Sequence, residues 1–153
     1  MKVNKIITTT EKCDLQITGA TLLSIEEAEA LPLRLRYYYE WWLLRSKGNY
    51  QCYIAFVDRA GSVNNEGCGV TRDADCVRPA LIINLKSSNF KIGDVFIFDD
   101  KEFEIISENL AFCKSDIGHH CFREDWEAED ANDYEVSDVK EFVDEWFERS
   151  IEK

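Results

Sequence analysis

No apolar run in this chain of 153 residues approaches the ~20 residues needed to span a bilayer. A helical membrane anchor is therefore not expected. The first 13 residues carry lysines but no apolar h-region, which predicts no signal peptide and a cytoplasmic location. No C-x-x-C pair occurs among the six cysteines, Cys13, Cys52, Cys68, Cys76, Cys113 and Cys121. Without an export signal they are expected as reduced thiols, most of them small core hydrophobes beside apolar neighbours. Positive charge is scarce, with 18 basic against 30 acidic side chains and a net charge of −12. Direct binding to a nucleic-acid backbone or an anionic membrane is disfavoured, because both need positive charge. No P-loop, dinucleotide fingerprint or H-E-x-x-H sequence occurs. No linker rich in Pro, Gly or Ser and no internal repeat divides the chain. One mixed α+β domain over residues 1–153 is the simplest reading.

What is present supports a real core. Hydrophobic residues make up 45% and aromatics 12%, which is a globular and not a disordered composition. The charge is unevenly placed. Residues 99–153 hold 19 acidic and 6 basic side chains, and the first 98 hold 11 and 12. The excess negative charge therefore sits in the last third.

Strands are expected at Ile6–Thr10 on a sheet edge, at Tyr50–Val57, and at Ser62–Val70, where Gly67 and Gly69 mark bends or bulges. Further strands are expected at Ala80–Leu85, Val95–Phe98, Glu102–Ser107 and Leu110–Cys113, the middle two forming a hairpin around Asp99-Asp100-Lys101. Ser24 with Glu27 makes a capping box that starts a short helix over Ile25–Leu31, and Pro32 ends it or begins a new turn. Leu33–Leu44 is ambiguous. Leu33, Tyr37 and Trp41 could share a helix face that runs into a strand at Trp42–Arg45. Arg123–Glu135 reads as a polar, acidic loop. Ser137 then caps a helix in which Val139, Phe142, Val143, Trp146 and Phe147 form one apolar stripe.

Two strings, Trp41-Trp42-Leu43-Leu44-Arg45-Ser46 and Cys76-Val77-Arg78-Pro79-Ala80-Leu81, set an arginine inside an apolar run. An arginine is rarely buried unless its donors are satisfied. Arg45 and Arg78 therefore read first as structural arginines, bonded to carbonyls or carboxylates, with an anion clamp as the sharper alternative. Together with Gly61-Ser62-Val63-Asn64, the strings resemble a bacterial and phage domain family whose pattern runs W-W-L-R-S … G-x-V … V-R-P-A-L. That family resembles the C-type-lectin-like fold and formylglycine-generating-enzyme-type domains. The resemblance is best over residues 22–85. Residues 95–153 hold a hairpin, an acidic loop and a C-terminal helix, and within them Phe103–Phe147 also resembles the family, but in the family such a segment precedes the other. The order here resembles that of a circular permutation, or of a unit cut from a tandem array. The resemblance implies a single C-type-lectin-like α+β domain and a cytoplasmic protein of a bacterium or phage-infected host. It implies no reaction.

Three constellations could carry function. The aromatic run Tyr37, Tyr38, Tyr39, Trp41 and Trp42 cannot all face inward from one regular element, so part of it is a candidate partner surface. On that reading Tyr38→Ala would weaken binding with little change in stability. Residues 124–145 hold 11 acids against one lysine. Glu127, Glu129, Asp130 and Asp133 are the candidate contacts of a surface that mimics nucleic acid and occupies a basic groove. Cys113, His119, His120 and Cys121 are weak zinc candidates, since zinc accepts thiolate and imidazole, but C-x5-H-H-C is no standard ligand spacing. Neither a D-x-[DN]-x-[DN]-G loop nor a lectin sugar-binding tripeptide occurs, so calcium is not expected. The leading expectation is a non-catalytic recognition module with no cofactor and a protein partner, with homodimerisation left open. The alternatives are an acidic inhibitor of a basic, nucleic-acid-binding host-defence protein and a metal-dependent enzyme.

Overall fold

The computed structural model describes residues 5–8 and 14–152. The strands are β1 (Lys5–Thr8), β2 (Asp14–Thr21), β3 (Trp42–Lys47), β4 (Tyr53–Val57) and β5 (Val63–Gly69). They continue with β6 (Ala80–Asn84), β7 (Val95–Phe98), β8 (Lys101–Ile105) and β9 (Leu110–Cys113). Buried and exposed side chains alternate along β2 in its first half and along β7, whereas β4 and β9 are buried almost throughout. Three helices, α1 (Ile25–Glu29), α2 (Leu33–Arg36) and α3 (Asp138–Ile151), and a 3-10 turn at Tyr134–Val136 complete the chain. A six-stranded antiparallel sheet runs β1-β2-β6-β9-β8-β7, and a three-stranded one runs β3-β4-β5. The architecture is α+β. No helix among the described residues is long and apolar enough to cross a membrane.

The β7–β8 hairpin turns on two residues, Asp99 and Asp100, both at positive φ. That is the geometry of a tight hairpin turn matched to strand twist, and Asp tolerates it better than most non-glycine residues. Ser24 and Glu27 form the capping box of α1, and the Ser137 hydroxyl accepts from the Lys140 amide to cap α3. α3 lays Val139, Val143, Trp146 and Phe147 onto the core. Trp146 stacks on Phe103 and meets Phe98 edge-on, which fastens the helix to the hairpin. Burial of each such side chain stabilises the fold by roughly 1.5–3 kcal/mol. Gly67 sits at φ +97, beside a register shift between β4 and β5. A Cβ there would lie 2.8 Å from the Ile54 carbonyl oxygen, so both the bend and the close approach require glycine.

Two expectations are corrected and one ambiguity is resolved. β2 was not anticipated as a strand, yet it pairs with both β1 and β6. Only Leu15 and Ile17 carry its alternation before the register shifts between Ile17 and Gly19, too short a pattern to read. The strand expected from Tyr50 begins at Tyr53, because the Tyr53 amide donates back to the Tyr50 carbonyl and closes a turn. In the ambiguous segment from Leu33, the helix considered lasts one turn, α2, and the strand considered after it is β3. The Trp42 indole donates to the Arg36 carbonyl at 3.1 Å and Arg78 donates to the Leu35 carbonyl at 2.9 Å. Tertiary partners thus take up carbonyls that helix continuation would have used. Thr9, Thr10, Cys13 and the N-terminal tetrapeptide lie outside the described residues.

The two sheets meet at Cys76. It bridges β3 at Trp42 in parallel and His119 in antiparallel fashion. Segment 76–80 therefore joins the short sheet, the long sheet and the 116–119 loop, with backbone hydrogen bonds from Cys76 to Trp41 and between Val77 and both Ile117 and Gly118.

Candidate functional site

The two arginines act differently from one another. Arg45 donates to the Leu22 carbonyl at 2.7 Å and to Glu27 Oε1 at 2.6 Å, tying β3 to the start of α1. Arg78 is 2% exposed. It donates to the carbonyls of Leu35, Cys113, Lys114 and Ser115, and no carboxylate pairs with it among the described residues. Its guanidinium also lies over the rings of Tyr38, Trp42 and Phe112, with centroids 4.4–4.8 Å away. Burial pulls it down to about 10, which leaves it a cation at neutral pH. Carbonyl dipoles and ring faces hold that charge.

The aromatic run alternates. Tyr37 and Tyr39 are 63% and 68% exposed. Tyr38, between them, covers Arg78 and donates from its hydroxyl to Asp116 Oδ2. Burial, followed by that bond, raises the Tyr38 phenol. Tyr38 is therefore a fold contact, and truncating it would disturb stability, contrary to expectation. Trp41 stacks on Phe56 at 4.3 Å under the Arg72 guanidinium. Trp42 is fully buried. The exposed rings of the run are Tyr37 and Tyr39, the latter packed against Tyr38 with centroids 4.7 Å apart.

A cleft of about 460 Å³ opens between α1–α2 and the β8–β9 turn. Its walls are mostly apolar, with Leu31, Leu35, Ile92 and Leu110, and one ion pair marks its rim. Arg34 reaches Glu104 through both terminal nitrogens, at 2.8 and 2.6 Å. Hydrogen bonds from Arg34 hold the Glu104 carboxyl below its ordinary value, against the opposing effect of burial. Glu104 is 5% exposed, so the pair stabilises the fold above the ordinary value of 4.5 and the contribution is lost as pH falls through the lowered one. The urea midpoint is expected to drop below pH 4.5, and Glu104→Gln to flatten that part of the profile. An unchanged acid slope in the variant would assign it to other carboxylates.

The acidic third is firmly seated. Asn132 donates to the carbonyls of Tyr50 and Tyr53, and Gln51 donates to that of Ala128, so the loop is stapled to the β4 turn. Glu127, Glu129 and Asp130 point to solvent, Asp130 within 3.3 Å of Arg123. Asp133 is half-buried and caps the 3-10 turn through the Glu135 amide. Trp126, which the sequence reading passed over, is 54% exposed among these carboxylates.

The four weak zinc candidates do not gather. Cys113 is buried in the sheet core, its sulfur 3.7 Å from Ser115 Oγ. The His119 Nε2 meets Glu40 at 2.8 Å, while His120 turns to the Cys121 carbonyl and stacks on Phe142. The convergent set among the described residues is a different one, Glu40, Cys76 and Asp116. It went unread because its members come from three distant segments with no common spacing. The five described cysteines are free. Burial first, then neighbouring carboxylates, pushes the Cys68 thiol up to about 12, and Cys76 and Cys121 move the same way. A nucleophilic thiolate needs the opposite shift. No protein-family model matches this chain, and no curated protein or solved structure matches it either.

Proposed function

We propose that this protein is a non-catalytic recognition module of a bacterium or phage, one that binds a protein partner through Tyr37, Tyr39 and the cleft that α2 lines. The observation that carries this reading is the pair of exposed tyrosine rings, Tyr37 and Tyr39, that flank the anchored Tyr38. Tyrosine gives large contact area at low entropic cost, and it is a frequent anchor of interfaces. α2 supplies Arg34 and Leu35 to the cleft and leads straight into Tyr37, so both features lie on one stretch of chain. The resemblance of the Trp-rich and Val77–Leu81 strings to a C-type-lectin-like family agrees with a recognition role, by analogy of fold alone.

A second reading has its own observation. Trp126 stands exposed within an anchored loop that carries Glu127, Glu129 and Asp130. That combination suits an acidic inhibitor that fills a basic, nucleic-acid-binding groove, with the indole as its apolar anchor.

One capture experiment from bacterial lysate separates the two. The bait is the wild type, a Tyr37→Ala/Tyr39→Ala variant, or a Glu127→Lys/Glu129→Lys/Asp130→Lys variant. All five positions are exposed, so stability should change by no more than about 0.5 kcal/mol per substitution. The leading reading expects capture to fail in the tyrosine variant and to survive both charge reversal and raised salt. Loss on charge reversal, with binding that weakens as salt rises, would replace it with the inhibitor reading.

A further inference from the structure

We propose that Glu40, Cys76 and Asp116, with His119 as fourth donor, form a site for one zinc-class divalent cation. The inference is independent of the recognition reading. The ligand atoms of Glu40, Cys76 and Asp116 all lie within 4.8 Å of one another. In a tetrahedral zinc site donors stand roughly 3.3–3.8 Å apart, given metal–ligand lengths of about 2.0–2.3 Å. Side-chain rotation of about an ångström closes that gap without moving the backbone. The backbone is already fixed. Cys76 donates to the Trp41 carbonyl at 2.9 Å, Val77 donates to Gly118, and Ile117 donates back to Val77.

A second observation points to a ligand. The Cys76 side chain is fully buried, belongs to no disulfide, and its sulfur makes no hydrogen bond among the described residues. It stands unpartnered against two carboxylates. In that setting the thiol is pushed up, by burial first and then by Asp116 and Glu40. A divalent cation inverts this electrostatic arrangement and takes the thiolate, releasing its proton to solvent. Charge then closes. Three anionic donors balance a doubly charged ion together with the nearby Arg78 guanidinium.

The outer contacts also suit ligation. Asp116 accepts from the Tyr38 hydroxyl at Oδ2 and from the Gly118 amide at Oδ1, which orients it with lone pairs to spare. His119 rests on Glu40 but is 46% exposed and has room to turn its ring. One sulfur with imidazole and carboxylate selects zinc or cobalt over calcium and magnesium, which prefer all-oxygen sites. Such an ion would hold the Tyr38–Glu40 segment against Cys76 and the 116–119 loop.

The test uses the full chain, freed of metal and titrated with zinc or cobalt(II). One equivalent per chain is expected, together with a cobalt–thiolate charge-transfer absorption. Cys76→Ser should abolish that absorption. Glu40→Gln, a change at a half-buried side chain, should weaken zinc binding at least 10-fold while the far-ultraviolet spectrum stays native. Less than 0.1 equivalent bound at saturating metal, or a thiolate band that survives Cys76→Ser, overturns the proposal. Should Cys76→Ser fail to fold, the Glu40→Gln titration decides alone, and unchanged affinity there refutes the site.

Discussion

Arg78→Met is expected to lower the free energy of unfolding by about 3–5 kcal/mol, the sum of a few buried carbonyls left without a donor at about 1–3 kcal/mol each. Methionine keeps most of the apolar stem but none of the donors. The carbonyls of Leu35, Cys113, Lys114 and Ser115 would be left in or near the core, where each unsatisfied acceptor costs about 1–3 kcal/mol. Domain stabilities of about 5–15 kcal/mol leave little margin for such a loss. Lysine is the informative second variant. It restores the charge but not the fork, so Arg78→Lys should recover less than half of the deficit. Urea denaturation at neutral pH measures both. A methionine variant within about 1 kcal/mol of wild type would show that water can stand in for the guanidinium.

Trp146→Ala should cost a similar amount, about 3–5 kcal/mol. The indole stacks on Phe103, meets Phe98, and donates to Asp99 Oδ2 at 2.7 Å, in the hairpin turn itself. One side chain thus joins α3 to the β7–β8 hairpin on both its apolar and polar sides. Trp146→Phe separates the two. It keeps the ring contacts and loses the hydrogen bond, an expected loss of about 1–2 kcal/mol. Hydrogen exchange should show α3 amides losing protection first in the alanine variant. If the alanine variant loses under about 1 kcal/mol, the helix is held elsewhere along its stripe.

The elements that could be read in the sequence are those whose signal is local. The capping box at Ser24, the cap at Ser137, the stripe on α3 and the alternation of β7 and β8 each lie within a dozen residues. β2 is the counterexample. Its alternation is short, and its place in the sheet is set by partners on β6 more than sixty residues away. The helix after Pro32 fails for a related reason. Local pattern favours its continuation to Trp41, whereas Trp42 and Arg78 capture its last carbonyls from afar.

The candidate sites follow the same division. That some of the tyrosine run must be exposed was legible from crowding alone, and the alternation assigns Tyr37 and Tyr39 to solvent. Which tyrosine turns inward was not legible, because the reason is Arg78 beneath it and Asp116 beside it. The Glu40–Cys76–Asp116 set left no trace in spacing, since ligands drawn from three loops obey no helical or strand period. The adjacent histidines drew attention because adjacency is visible, yet His119 and His120 turn to different partners.

The order of strands in the long sheet also governs how the chain reaches this state. The β7–β8 hairpin closes over two residues and can form within microseconds. The centre of the sheet cannot. β6 lies between β2 and β9, pairing Ile17 with Ile83 and Leu81 with Ala111. Both seams need long loops to close before any reward in burial arrives, a topology that slows folding toward milliseconds or longer. During synthesis β2 and β6 would both be out of the ribosome while the seam to β9 still stood open. Until residues 110–113 emerge, the nascent chain exposes the unpaired backbone edge of β6, a template for pairing with another chain.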